Sequence, residues 1–417
     1  MENMEQKNSH KLTKKSKILI GDFSMWQEGK RTSINGNIKA LLEFFSPRSA
    51  RIDLIDGPHP GSDRVCSIIE IHQKGQLQKT YRAKSSYLLY PFLKLTNDVS
   101  KTQVTFKVRD ILATLEQGLF SRQKYQLFIG LESIYAITGI ILKKLGVVET
   151  VVYYISDYAP NRYSQKWFND LYLWLDRFCA MHADFIWDVS KAMHPARIKA
   201  GLNPKRSAPE LHVPNALFPQ QIEYYPLNKL NKKMILFSGS LGIDNGPDLA
   251  IKALPIILKA APGAELHFTG GNIPEHENRL KKLVKKMKLE KHVAFHGFIQ
   301  NVDEFFRLTR GAYIGLAPYV VMKKSVRWYA DSVKIRAYLA AGLPVITTRV
   351  PPLGKEVAEA GAALMVEDNP KAVAGGIIKL LRDKKLYQNT RRAAIKYIKN
   401  NTWENVFSKA LQQMKML

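Results

Sequence analysis

Short apolar runs rich in Val, Ile, Tyr and Phe alternate with helix-like segments along this chain, and the alternation breaks once and then starts again. Lys17–Ile20, Arg51–Ile55, Gln103–Val108, Tyr125–Ile129, Thr150–Ile155 and Phe185–Val189 each read as a strand. Runs of this kind, bounded by Gly, Asp or Pro, suit strands buried on both faces of a parallel sheet. Helical spacing fills Asn37–Phe45 and Ile134–Leu145, the latter stopped by Gly146 as a C-cap. Ser190 stands at an N-cap position before Lys191–Ala200. Residues 201–231 carry several prolines and little periodicity. The pattern then resumes with strands Met234–Ser238, Glu265–Thr269, His292–His296, Ala312–Leu316 and Pro344–Thr347. Helices Asp248–Ala260, Glu275–Met287, Val302–Leu308 and Val333–Ala341 lie between them.

This order predicts an α/β protein of two Rossmann-like, doubly wound units. A disordered basic tail is expected over residues 1–16, a first unit over 17–215 and a second over 216–400. A final helix, 401–417, is expected to pack back toward the first unit. Open α/β sheets bind ligands at the carboxyl ends of their strands, so a gap between two facing units is the expected site.

Composition narrows the class. Apolar residues make up 46% of the chain, enough for sizeable cores. The two cysteines, Cys66 and Cys179, form neither a disulfide framework nor a zinc pattern and suit a reducing, cytoplasmic compartment. No stretch of about 18 uninterrupted apolar residues occurs, so no membrane span is expected. The formal net charge of +27 attracts polyanions, whether nucleotides, nucleic acid or lipid headgroups, or else marks a solvated basic surface. No nucleic-acid-binding module accompanies it. Ten histidines lack metal-ligand spacing, so no metal is expected, and no other cofactor is expected either.

Two glycine turns end successive strands of the second half. Phe237–Gly246 leaves a strand through Gly239 and Ser240, and Gly270–Gly271 follows the next strand. Such turns allow close backbone approach to a phosphate, although packing alone also demands glycine there. More specific is the text from Ser332 to Thr348, SVKIRAYLAAGLPVITT. Lys334, Tyr338, Ala340, Ala341, Gly342, Pro344 and Val345 match the donor-binding helix of glycosyltransferase family 4, which this segment resembles. His212–Ala216 resembles that family's V-P-N-G linker, and His292–Gly297 its V-x-F-x-G strand. Pro318 and Trp403 fall in order after them. The resemblance covers residues 180–417 well and the first half loosely.

That resemblance implies the GT-B fold and a retaining, metal-independent transfer of sugar from a nucleotide-sugar donor to a glycan or lipid acceptor. It also implies peripheral membrane contact where the acceptor is a lipid. The family's two glutamates, eight residues apart, are replaced here by Tyr329 and Ala337. At Ala337 the acceptor for the ribose hydroxyls is lost. The family's Arg and Lys at the first glycine turn are replaced by Ser240 and Asn245. Cations for the diphosphate are therefore sought in Lys334 first, then Arg327, then Lys323 and Lys324. These departures also motivate a rival: a protein that binds nucleotide sugar without turning it over.

In the first half, Asp157 ends an apolar strand and is the candidate for contacting the reacting sugar, with an Asx turn before Pro160 as the alternative. Glu132 ends the preceding strand and is a second acceptor-side candidate. Gly36, in the loop Trp26–Gly36, corresponds to the family's acceptor loop. Trp167–Ala180 is dense in aromatics and reads as a core helix or a membrane-facing one.

Overall fold

The computed structural model describes residues 11–32, 37–94, 99–271 and 273–417. The chain forms two compact units. The first takes the residues up to Pro214 and Val406–Leu417, and the second takes Asn215–Asn405. Gly36 lies outside the described residues.

The first unit is built on β1 (Lys17–Gln27), β2 (Lys30–Thr32), β3 (Arg51–Pro58), β4 (Ile68–Gln73), β5 (Gln76–Arg82), β6 (Tyr125–Leu131), β7 (Val148–Ile155), β8 (Phe185–Asp188) and β9 (Glu210–His212). Its sheet runs β5-β4-β3-β1-β6-β7-β8-β9, with β2 on β1. The pairs from β3 to β9 are parallel, and β4 and β5 extend the edge as an antiparallel hairpin. Chain order reverses at β1, which lies between β3 and β6, so this is the switch point of the sheet.

Helices cover the sheet: α1 (Asn37–Phe45), α2 (Val99–Phe120), α3 (Glu132–Lys144) and α4 (Lys166–His182). Gln103–Val108, expected as a strand, lies inside α2. Its alternating Val and Phe mimic a strand, but Phe106 and Arg109 are buried at helical spacing, and packing decides the state. The expected tail also ends early. Ser16 is buried, and the Leu12 amide donates to the Met416 carbonyl at 2.9 Å. The last residues complete this unit: Phe407 is fully buried against Phe44, Phe45 and Trp187.

Helix α4 is not a core helix on all sides. Asn169, Tyr172, Asp176, Cys179 and Ala180 are buried. Trp167 is 64% exposed, Leu171 43% and Trp174 52%. These three recur every three or four residues and so share one outward stripe.

The second unit is a six-stranded, wholly parallel sheet of β10 (Met234–Ser238), β11 (Glu265–Thr269), β12 (Val293–Phe295), β13 (Ile314–Ala317), β14 (Val345–Thr347) and β15 (Ala363–Met365), ordered β12-β11-β10-β13-β14-β15. Strand alternation feeds two cores. Ile235 and Phe237 pack with Ile251 and Leu254 of α5 (Pro247–Ala260). Met234 and Leu236 pack with Ile335 and Leu339 of α6 (Val333–Ala340). The switch point lies between β10 and β13.

Candidate functional site

Helix α6 starts at Ser332, whose hydroxyl accepts from the Ile335 amide at 3.4 Å and meets the Tyr319 hydroxyl at 2.7 Å. The capping oxygen holds the first turn against the end of β13. One turn on, the buried Tyr338 hydroxyl accepts from the Ser238 amide at 2.6 Å and donates to the Leu316 carbonyl at 3.2 Å. A single phenol thus ties the carboxyl ends of β10 and β13 together at the switch point. Arg336, on another face, is buried and grips Asp331 through two bonds of 2.9 Å. Asp331 in turn accepts from the Asn215 amide, so Arg336 serves the scaffold.

This framing aims Lys334 at the first glycine turn. Its Cε would lie 3.4 Å from a Cβ at Gly239, where φ is +102°. Its amine sits 4.3 Å from the centre of the Phe237 ring and 4.8 Å from that of Tyr319. Asn245 Oδ1 accepts from it at 3.5 Å. Burial drives the Lys334 pKa down to about 7; the Arg327 charge adds to this and Asp244 opposes it.

The two glycine turns are tied to their neighbours through their own amides. The Gly239 amide donates to the Thr269 carbonyl at 2.8 Å and the Gly270 amide to the Gly297 carbonyl at 2.7 Å. Neither amide is left to meet a phosphate. Instead, Gly270, with φ of +100°, lets the second turn lie directly on the Gly239 backbone, where any Cβ would strike the Gly239 carbonyl. Gly271, with φ of +85°, is filled from one side by Leu241. Ser240 is exposed, and its hydroxyl accepts from the Gly242 amide at 3.3 Å. Ala337 is buried in the apolar core. Arg327 lies close by, but its Nε is bound to Asp244 at 3.0 Å. Lys323 and Lys324 are exposed.

The first unit has its own cavity of 290 Å³ at the carboxyl ends of its central strands, lined among others by Phe23, His59, Phe106, Lys107, Glu132 and Arg162. Glu132 opens α3 with φ of +64°, a left-handed conformation that is uncommon for a residue with a side chain. Such strain persists only where the surroundings enforce it. Here the Ser156 hydroxyl donates to Glu132 at 3.1 Å, and Arg162 lies 4.0 Å away. Burial raises the Glu132 pKa against the pull of Arg162, and Asp157 raises it further. Asp157 itself is exposed and meets Arg162 at 3.4 Å. It therefore braces the cavity's arginine at the rim. Tyr135 and Tyr172 line the cavity, and their buried hydroxyls have no hydrogen-bond partner among the described residues. The sequence offered no sign of Arg162 or Asp244, which meet Glu132 and Arg327 from other segments, nor of the two tyrosines, whose place in the cavity is set by folding.

Residues 232–383, which hold both glycine turns, Arg327 and Lys334, match the family model for glycosyl transferases group 1. The matched stretch lies wholly within the second unit, here the group 1 domain. Two curated proteins are similar to parts of the chain. Mannosylfructose-phosphate synthase of Agrobacterium fabrum is 36% identical over 77 residues, 17% of each protein. An uncharacterised glycosyltransferase of Methanocaldococcus jannaschii is 28% identical over 180 residues, 43% of this chain and 41% of that protein. The chain thus matches under half the length of either relative. The likeness in fold extends beyond the group 1 domain. The crystal structure of Anabaena HepE in complex with UDP superposes with a TM-score of 0.65 over 96% of this chain and all of that one, at 16% identity. The fold is GT-B, and the group 1 domain is its C-terminal Rossmann-like unit.

Proposed function

We propose that the protein is a glycosyltransferase that holds a nucleotide-sugar donor at the strand ends of the group 1 domain and an acceptor in the first unit's cavity. The carrying observation is Lys334, whose amine is bound to no carboxylate among the described residues and is aimed at the stacked Gly239 and Gly270 turns. A diphosphate lying on those turns gains the lysine's charge in a partly dry site, where Coulombic attraction is strong. Transfer joins the acceptor oxygen to the anomeric carbon and breaks its bond to the diphosphate, whose growing charge Lys334 stabilises. In the retaining course the leaving diphosphate takes the acceptor proton. No metal or other cofactor enters this scheme.

The acceptor is a hydroxyl of a glycan or of a lipid-linked sugar. The cavity's aromatic walls, unpartnered phenols and buried Glu132 suit a polyhydroxylated ring. The outward stripe of Trp167, Leu171 and Trp174 favours a lipid-borne acceptor, met by peripheral contact with a bilayer. No helix among the described residues is long and apolar enough to cross one. Both cysteines are free and buried, which suits action in the cytoplasm.

Calorimetry with UDP-, GDP-, ADP- and dTDP-sugars tests the donor, UDP-sugars first because the HepE structure holds UDP. Lys334→Ala is expected to weaken nucleoside-diphosphate affinity at least about tenfold, about 1.4 kcal/mol. Unchanged affinity in a folded variant removes Lys334 from the site. Ala337, where the family that this segment resembles has a ribose-binding glutamate, favours a second reading, a binding protein that does not turn over. Donor affinity with neither transfer nor hydrolysis across acceptors selects that reading.

A further inference from the structure

Three helices lie side by side on one face of the group 1 domain's sheet: α5 in the middle, flanked by Pro274–Lys286 and Pro370–Arg382. Ile251, Leu254, Leu280, Val284, Val373 and Ile377 turn inward to one shared core. The outward sides carry lysine. Lys252 and Lys259 of α5, Lys282 and Lys286 of the first flanking helix, and Lys371 and Lys379 of the second are all exposed. Their spacing keeps each pair on one stripe of its helix. Together the three helices hold ten lysines and arginines against three carboxylates. Two of those carboxylates, Asp248 and Glu277, are taken by Arg279 and Lys281. The six outward lysines have no ion pair among the described residues. Helix ends do not account for them. Lys252 and Lys282 stand in mid-helix, and Lys371 stands in a first turn, where a cation opposes the helix dipole.

We propose that this lysine face docks the group 1 domain on a bilayer of anionic lipids. The proposal goes beyond the donor reading and does not depend on it. Like charges on neighbouring helices repel one another, and a layer of lipid phosphates relieves that repulsion while gaining attraction of its own. The residue types favour lipid over nucleic acid. All six are lysines, point charges on flexible stems that suit a fluid array of headgroups, whereas arginine's planar fork suits fixed phosphates and base edges. None of the three helices contains Phe, Tyr or Trp, so no ring is available to stack on a base. The attraction is therefore electrostatic. It differs in kind from that of the aromatic stripe of Trp167, Leu171 and Trp174, which is apolar.

The test is flotation of the full chain with phosphatidylcholine vesicles, with and without phosphatidylglycerol. Binding is expected only when phosphatidylglycerol is present, and release at about 1 M salt, where charges are screened beyond about 3 Å. The triple variant Lys252→Gln, Lys282→Gln, Lys379→Gln is expected to bind roughly a hundredfold more weakly, about fivefold for each lysine at about 1 kcal/mol per charge. A control triple, Lys124→Gln, Lys144→Gln, Lys199→Gln, removes the same net charge from exposed positions of the first unit and is expected to keep its affinity. Equal losses in the two triples overturn the proposal, because net charge and not this face then drives binding. Binding kept by the first triple but lost in Trp174→Ala assigns the contact to the aromatic stripe and overturns it too. So does capture of single-stranded RNA by the wild-type protein with no binding to the anionic vesicles. Calorimetric affinity for UDP-glucose is expected to be the same in the first triple as in the wild type, so the donor reading is judged separately.

Discussion

Arg327 Nε and Asp244 Oδ2 form an ion pair of 3.0 Å beside the Lys334 amine, although 83 residues separate them in the chain. Both side chains are about one-third exposed, so the pair is stabilised only modestly and can open. The guanidinium is held near the glycine turns and its charge is cancelled there. Asp244→Asn is expected to release that charge and tighten nucleoside-diphosphate binding by a few-fold, under about 1.4 kcal/mol. Calorimetric affinity that is unchanged or weaker shows that Arg327 does not reach the diphosphate.

Glu132 is expected to act on the acceptor alone. In Glu132→Gln the carboxylate is lost, and among the described residues Arg162 keeps only Asp157 as a carboxylate partner. The acceptor KM should rise roughly tenfold or more while donor affinity stays unchanged. An equal loss of donor affinity in steady-state and binding measurements contradicts the assignment of the cavity to the acceptor.

Gly270→Ala should destabilise the group 1 domain. A methyl group there meets the Gly239 carbonyl, and φ of +100° is hostile to any side chain. A cost of about 1–3 kcal/mol is expected for the strained residue, read as a lowered midpoint in thermal unfolding. Because the two turns support one another, nucleotide-sugar affinity should fall as well.

Glu210 makes the first unit alkali-sensitive. Burial, followed by the negative charge of Asp188, pushes its pKa up to about 8, against the pull of Arg197. A carboxyl whose folded pKa exceeds its unfolded value stabilises most below the unfolded pKa, and that contribution disappears as pH rises through 8. Wild-type unfolding free energy should therefore decline between pH 5 and 9 more steeply than that of Glu210→Gln. Parallel denaturant curves for the two proteins across that range count against it.

Much of the architecture was legible because buried parallel strands announce themselves as short Val/Ile/Tyr/Phe runs, such as Tyr125–Ile129 and Met234–Ser238. The β4–β5 hairpin was not, because β5 is an exposed edge and its text, QLQKTYR, carries no buried alternation. Gln103–Val108 misled because a six-residue window cannot reveal the buried spacing of Phe106 and Arg109 along a 22-residue helix. In the donor site, Lys334 and Tyr338 were readable from local text, since one helix and its flanking strand carry the motif. The commitment of Arg327 to Asp244, the left-handed turn at Glu132 and the caging of the amine by Phe237 and Tyr319 were not. Each depends on segments that meet only after folding.

Phe407 and its neighbours have a consequence for how the chain comes into being. Residues 406–417 belong to the body that begins at the amino terminus. A ribosome therefore completes the group 1 domain while the earlier-made body still lacks a piece of its interior. Cutting after Asn405 should leave the aromatic surfaces of Phe44, Phe45 and Trp187 uncovered. A fragment ending at Pro214 should be aggregation-prone until a peptide bearing those dozen residues is supplied in trans.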